Sequence, residues 1–221
     1  MRENAPPNAA PSMTGATRFL RDILDELERG APADIDADDP QATLGDVLDR
    51  LDERAFGLLL LLLALPCCLP FVYVLPQIVA LPMLALAAQL AAGRVHPWLP
   101  KRLRARQFSI PAFRRTVERG AKYGGWIERL ARPRLRPVTG RFGARLAGAL
   151  MLIPAASILV PLPSTNTIPG IGVAVAALGL IERDGVLVVL GLLIGFIWVA
   201  LLVVLGAEAV YLLKSWIAGW L

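Results

Sequence analysis

Long uncharged stretches alternate with charged ones along the chain. Residues 55–93, 146–181 and 185–207 contain no Asp, Glu, Lys or Arg. Apolar runs of this length are typical of membrane helices. A single helix over residues 55–93 would be about 58 Å long, almost twice the roughly 30 Å of a hydrocarbon core. We therefore expect this run to fold back on itself.

Prolines mark the predicted turn in each of the first two uncharged runs. Pro70 and Pro76 interrupt the first run, and Pro163 and Pro169 interrupt the second at the same spacing. Proline has no amide hydrogen and clashes with the preceding turn, so a helix cannot pass unchanged through these segments. Because the two pairs stand 93 residues apart in similar surroundings, we interpret the two runs as an internal repeat.

Each copy of the repeat is expected to form a re-entrant helical hairpin. The arm that ends at Pro66 would be about 17 Å long and would reach about half way across the hydrocarbon core. The alternative is a pair of tilted, kinked helices that each cross completely. Because residues 94–145 contain no spanning segment, both hairpins would enter from one side, as parallel repeats. The third uncharged run predicts a C-terminal transmembrane helix within residues 185–221, with a helix-packing motif at Gly191 and Gly195.

Charge is separated into two opposite patches. Residues 1–54 hold six basic and thirteen acidic side chains, whereas residues 94–145 hold fifteen basic and two acidic ones. The positive-inside rule places the N-terminus and the loop 94–145 in the cytoplasm. Aromatic residues alternate with arginines in this loop, so we predict interfacial helices that contact anionic lipid headgroups. A juxtamembrane arginine cluster is typical of a topology signal, and we expect no binding of nucleic acid.

These patterns predict an all-α integral membrane protein. The chain is 56% hydrophobic and has a mean hydropathy of +0.57. We expect residues 1–42 to be an acidic, partly disordered cytoplasmic segment with a short helix, followed by a membrane domain over residues 43–221. Thr43 and Asp46 have the spacing of a capping box, and the helix that they open is expected to continue unbroken to Pro66.

The polar residues between the prolines of the second run are the main candidate site. Irregular backbone at membrane depth is tolerated only inside protein or beside a watery cavity. The candidate binding residues at this tip are neutral and include its prolines: Pro163, Ser164, Thr165, Asn166, Thr167 and Pro169. Gln77 is the candidate at the opposite tip. Their oxygen atoms would suit a polar or cationic ligand, or would only satisfy backbone groups that the prolines leave unpaired.

Other chemistry is sparse in the apolar half of the sequence. Arg183 and Asp184 follow the second run and form either a plain cytoplasmic turn or a charge cluster that caps a polar path. Cys67 and Cys68 are adjacent and are expected to act as small apolar residues. The apolar half has no carboxylate pair, Ser–His arrangement, metal cluster or phosphate loop. We therefore predict no enzyme, cofactor or metal, which disfavours an enzyme acting on lipid-linked sugar.

Four motifs resemble the ExoD family of bacterial exopolysaccharide-synthesis membrane proteins, from about residue 40 to the end. They are Trp98-Leu99-Pro100, Arg132-Pro133-Arg134, Pro161-x-Pro163-x2-Asn166-x2-Pro169 and Leu178-Gly179-Leu180-x2-Arg183-Asp184-Gly185. The resemblance implies a multi-pass protein of the bacterial inner membrane. It also implies a link to exopolysaccharide production and to tolerance of alkaline conditions, but no particular reaction.

Two functions follow from these expectations. The first is a small transporter or channel-like protein, working alone or as a homo-oligomer, with its polar site at the broken-helix tips. The alternative is a non-catalytic membrane scaffold that uses its basic loop to bind anionic lipid or proteins of the exopolysaccharide machinery.

Overall fold

The computed structural model divides the chain into two compact units, and helix predominates in the parts that it describes. One unit comprises Met1–Leu51 with Leu99–Arg132, and the other comprises Asp52–Trp98 with Pro133–Leu221. The structure describes the following residues: 22–23, 25–26, 41–51, 54–69, 74–112, 114–115, 134–160 and 165–218.

The first unit contains a small antiparallel strand pair beside short helices. Strand β1 (Gln41–Thr43) leads directly into helix α1 (Leu44–Leu51). Helix α4 (Lys101–Arg104) precedes strand β2 (Gln107–Ser109) along the chain, and β2 pairs with β1. Helical residues also occur at positions 22–26 and 110–115, interrupted by undescribed ones.

The capping box that the sequence predicts at the start of α1 is confirmed. The Asp46 amide donates to Thr43 Oγ1 at 3.2 Å, and the Thr43 amide donates back to Asp46 Oδ2 at 3.1 Å. Val47, Leu48 and Leu51 form the buried face of this helix, as their helical spacing requires.

The second unit is built from two helical hairpins and a long final helix. The first hairpin consists of α2 (Arg54–Cys67) and α3 (Leu75–Ala91), and the second consists of α6 (Arg141–Ser157) and α7 (Thr167–Glu182). The short helix α5 (Arg136–Thr139) precedes the second hairpin, and α8 (Gly185–Ala218) follows it. The end at which each hairpin turns is called its tip, and the end at which its arms begin and finish is called its base.

Glycines set the contacts between the hairpins. A Cβ on Gly57 of α2 would lie 2.9 Å from the Ala177 carbonyl oxygen of α7. A Cβ on Gly148 of α6 would lie 2.9 Å from the Ala87 carbonyl oxygen of α3 and 2.7 Å from the amide nitrogen of Ala91. Only glycine permits such close backbone approach, so each entering arm packs directly on the returning arm of the other hairpin.

The final helix packs its small residues against the second hairpin. A Cβ on Gly191 would lie 2.3 Å from the Ala176 amide nitrogen, and one on Gly195 would lie 2.8 Å from Cβ of Pro154. The predicted helix-packing motif is therefore confirmed. Among the described residues, one helical stretch, Gly185–Glu208 of α8, is long and apolar enough to cross a membrane.

Several predicted boundaries need correction. Helix α2 ends at Cys67 rather than at Pro66, because a proline in the last turn removes only one hydrogen bond from a helix that is about to end. Helix α6 begins at Arg141, so the second hairpin takes the last residues of the predicted basic loop. That loop also contains a strand, β2, which pairing with β1 stabilises and which the sequence analysis missed.

Other predictions fall outside what the structure describes. Residues 52 and 53 are not described, so one unbroken helix from Thr43 to Pro66 stays a prediction. The same holds for the extent of the short N-terminal helix, although the described residues between positions 22 and 26 are helical.

Candidate functional site

A buried amide side chain marks the tip of the second hairpin. Asn166 is the residue before α7, and it is only 6% exposed. Its Oδ1 is buried and accepts no hydrogen bond from any described residue. Asparagine often caps a helix by bonding to an amide of the first turn, but this side chain makes no such bond. Its oxygen is therefore an unused acceptor, at a cost of about 1–3 kcal/mol.

The backbone on either side of Asn166 is firmly held. The Asn166 carbonyl accepts the Gly170 amide at 3.0 Å, which closes the first turn of α7. The preceding carbonyl, of Thr165, accepts the indole N–H of Trp198 at 3.0 Å, so α8 anchors this tip. Pro169 is buried in the first turn, where its missing amide hydrogen removes no helical bond. Thr167 is the first residue of α7.

The first hairpin presents a second unpartnered amide oxygen. Gln77 lies in the first turn of α3, and its Oε1 is buried without a hydrogen-bond partner among the described residues. Pro76 beside it is buried in the same turn. Val74, which precedes the helix, has φ of 70° and ψ of −50°. Such a conformation is strained for a β-branched residue and is found mainly where surrounding structure enforces it.

The tip of the second hairpin packs against the turn of the first. A Cβ on Gly170 would lie 2.7 Å from Cβ of Cys67, the last residue of α2. Cys67 is fully buried and donates a weak S–H bond to the Leu63 carbonyl at 3.7 Å. The buried cysteine therefore acts as a small apolar residue, as expected from the sequence.

Arg183 and Asp184 lie far from the tips. They follow the end of α7, which is about 24 Å long for its 16 residues. Arg183 ends α7 in a left-handed conformation, with φ of 54°. Asp184 is 2% exposed, and its Oδ1 accepts the Val186 amide at 2.9 Å in the first turn of α8. Asp184 therefore caps the final helix.

The predicted site residues thus fall into two groups. Asn166, Thr165 and Thr167 lie together with Pro169, and Gln77 lies at the start of the equivalent arm of the other hairpin. Pro163 and Ser164 lie outside the described residues. The tips offer neutral acceptor oxygens rather than charges, which suits a ligand that donates hydrogen bonds or carries a positive charge.

Sequence reasoning missed a group of arginines at the bases of the hairpins. They line one pocket with small and apolar residues, and they are Arg54, Arg94, Arg141, Arg145 and Arg183. The available signal was weak, since these arginines are spread over three charged segments that border uncharged runs.

The fold and the tips define a mostly helical protein with a long apolar helix and two hairpins that carry buried amide groups. A family model described as "Exopolysaccharide synthesis, ExoD" matches residues 20–204. The chain belongs to the ExoD family, which is linked to exopolysaccharide synthesis.

Curated relatives agree with this assignment. An uncharacterized protein of Synechocystis, slr1875, is 31% identical over 216 residues, which cover 93% of this chain and 97% of that protein. Protein ExoD of Rhizobium meliloti is 30% identical over 151 residues, which cover 66% of this chain and 62% of that protein. No solved structure matches the chain.

Proposed function

We propose that this ExoD-family protein is a multi-pass protein of the bacterial inner membrane, with its N-terminus and basic loop in the cytoplasm. The apolar surface of the second unit supports this. Ile197, Val203 and Val204 on α8 are 67%, 66% and 58% exposed, and Leu62 on α2 and Ile78 on α3 are each 60% exposed. So many exposed aliphatic side chains are unfavourable in water and suit a lipid environment.

The two hairpins are proposed to be re-entrant copies of one repeat. Gly57 of the first hairpin contacts Ala177 of the second, and Gly148 of the second contacts Ala87 of the first. Gly148 stands 91 residues after Gly57, and Ala177 stands 90 residues after Ala87. Contacts related by a nearly constant offset are what a two-fold relation between copies would produce. The first arm, α2, has 14 residues and would be about 21 Å long, short of a roughly 30 Å core.

The tips are proposed to form a site for a polar or cationic solute in a transporter or channel-like protein. The observation that carries this proposal is the pair of buried, unpartnered amide oxygens, on Asn166 and Gln77. Because leaving an acceptor buried and unpaired is costly, its retention at both tips favours a ligand that supplies the missing donor. Free carbonyls and helix ends at broken helices serve ions and solutes in the same way in known transporters.

A flux assay tests the transport proposal. The full chain is reconstituted in proteoliposomes loaded with a pH-sensitive dye, and proton flux is followed under sodium, potassium and pH gradients. We expect flux with the wild type and at least a tenfold loss with Asn166→Leu. Gly206→Leu is the matched control, because nothing lies within 4 Å of a Cβ at Gly206.

The scaffold function is the alternative, and the exposed basic residues of the first unit favour it. Arg104 pairs with Asp49, and Arg114 pairs with Asp25 at 2.6 Å, so two arginines of the loop have acidic partners within the unit. Lys101, Arg102 and Arg106 are exposed and could hold anionic lipid or an acidic protein. Absence of flux with every tested ion, together with loss of exopolysaccharide when the loop arginines are neutralised, would favour this function.

A further inference from the structure

The arginine pocket at the hairpin bases gathers positive charge from four separate helix ends. Arg54 begins α2, Arg94 follows the end of α3, Arg141 and Arg145 lie in the first turns of α6, and Arg183 ends α7. No Asp or Glu is among the described residues that line the pocket. Positive charge that the fold gathers at one place attracts anions.

The pocket is arranged around the approximate two-fold relation of the hairpins. Arg145 stands 91 residues after Arg54, the same interval that separates Gly148 from Gly57. Leu90 and Leu180, which stand 90 residues apart, both line the pocket. The pocket is therefore lined by equivalent positions of the two hairpins and not by a single loop.

Local backbone geometry positions one of these arginines. Gly93 has φ of 79°, and a Cβ there would lie 2.7 Å from Nε and 2.8 Å from Cζ of Arg145. The absence of a side chain at Gly93 thus gives the Arg145 guanidinium room to lie across the end of α3. Thr139, also in the lining, donates its hydroxyl to the Arg183 carbonyl at 3.4 Å and ties α5 to the end of α7.

Two acidic residues, Glu182 and Asp184, lie next to Arg183 in sequence and offset part of the positive charge of this cluster. Asp184 is buried and caps α8, and Glu182 lies near Arg54. Burial lowers the pKa of Arg54, and the positive charge of Arg183 lowers it further, whereas Glu182 raises it. Arg54 still stays protonated, because an arginine pKa is far above neutral. Five arginines against two carboxylates leave a net charge of +3 (+5 − 2), so an added anion would be stabilised here.

The size and exposure of the pocket limit the ligand. Its cavity volume is about 30 Å³, room for about two water molecules, so a phosphate group would lie at the mouth of the pocket against the exposed arginines rather than inside it. Arg94, Arg141, Arg145 and Arg183 are exposed, so an anion can reach them from solvent or from a lipid headgroup layer. Guanidinium groups bind phosphate through paired hydrogen bonds, and several of them together favour the nearly doubly charged monoester.

We propose that the arginine pocket binds a phosphate monoester group, carried either by a lipid headgroup or by a soluble phosphate compound. The site is separate from the tips and does not depend on the transport proposal. Asn166→Leu should leave phosphate binding unchanged even where it abolishes flux, so the two proposals can fail independently.

Binding is measured with the full chain in a non-ionic detergent. One arm titrates inorganic phosphate, with sodium chloride at equal ionic strength as the reference. The other titrates dioctanoyl phosphatidic acid, with dioctanoyl phosphatidylcholine as the reference. We expect saturable binding in at least one arm, and at least a tenfold weaker affinity with Arg94→Gln/Arg145→Gln.

The matched control is Arg102→Gln/Arg106→Gln, which removes the same charge from two exposed arginines outside the pocket. It should change the affinity for inorganic phosphate less than twofold. Binding of phosphatidic acid alone would identify a lipid headgroup, and binding of inorganic phosphate as well would identify the phosphate group itself. The proposal is overturned if the wild type binds neither probe, or if the control pair weakens binding as much as the pocket pair. The single variants Arg94→Gln and Arg145→Gln, tested with circular dichroism, separate loss of binding from loss of fold.

Discussion

The two hairpins are alike in packing and unlike in chemistry. Each entering arm brings a glycine, Gly57 or Gly148, against the small residues of the other hairpin's returning arm. At the tips the likeness ends. Asn166 is almost fully buried beside a turn that Trp198 anchors, whereas Gln77 is only half-buried and follows a strained Val74. The two hairpins thus share their packing contacts while the side chains that could meet a ligand differ, which points to the second tip as the main binding element.

The largest expected effect on stability concerns the two glycine contacts between the hairpins. Gly57→Ala and Gly148→Ala should each destabilise the second unit by about 2 kcal/mol, because each new methyl group would meet backbone atoms that cannot move aside. Thermal unfolding in detergent measures both. The control is Gly206→Ala, where the added methyl group meets open space. A marked inequality between the two variants would break the proposed equivalence of the hairpins.

The next prediction addresses the difference between the tips. Asn166→Leu should reduce flux at least tenfold, equivalent to about 1.4 kcal/mol, whereas Gln77→Leu should reduce it less. Neither substitution should destabilise the fold, because each removes a buried acceptor that has no partner. Flux and thermal unfolding are measured on the same preparations. If Gln77→Leu has the larger effect on flux, the proposed asymmetry is reversed.

Substitutions at the ends of the two returning arms should change stability less, and with opposite signs at the two positions. Gly93 and Arg183 both have positive φ, of 79° and 54°. Gly93→Ala should destabilise the fold by about 1 kcal/mol or more, whereas Arg183→Gly should stabilise it by about 1 kcal/mol, since only glycine adopts this conformation without strain. Thermal unfolding measures the sign of the stability change in each variant. Equal losses in both variants would show that the backbone conformation does not govern these positions.

The smallest expected effect on stability concerns the capping box of α1, which lies in the first unit and not in the hairpins. The hydrogen bond from Thr43 lowers the pKa of Asp46, so the contribution of the Asp46 carboxylate to the capping box stabilises α1 above about pH 4 and is lost as the pH falls further and Asp46 protonates. Thr43→Ala should cost about 0.5–1 kcal/mol at pH 6. Amide protection factors of α1 should fall severalfold at pH 6, and by less once Asp46 is protonated, because the bond from the Asp46 amide to Thr43 Oγ1 is then the main one left to lose. Thr43→Ser keeps the hydroxyl and should behave as the wild type.

The parts of the fold that the sequence could predict are those governed by local rules. The capping box needs only two residues three apart, and uncharged runs interrupted by prolines located both hairpins to within a few residues. The strand pair joins Gln41–Thr43 to Gln107–Ser109, segments too short to show alternation and too distant for a local signal. Its formation depends on tertiary contact, which the sequence does not display.

The candidate site was predictable in part for the same reason. Asn166 stands out because polar residues are unusual within an apolar run, and the structure finds it buried. The capping role of Asp184 could have been predicted from the sequence, since an Asp directly before an apolar helix is a common capping signal. The arginine pocket could not have been predicted, because its members come from four helix ends that only the packing of the hairpins brings together.

The central claim is that both hairpins turn back inside the membrane, and accessibility labelling tests it most directly. In a background with Cys67→Ala and Cys68→Ala, single cysteines replace Leu69 and Val160 at the tips and Arg94 and Arg141 at the bases. An impermeant maleimide is applied to intact cells and to inverted vesicles. We predict that the base positions react in inverted vesicles only and that the tip positions resist labelling from both sides. Rapid labelling of Leu69→Cys and Val160→Cys in intact cells would show that the helices cross completely, and would contradict the account.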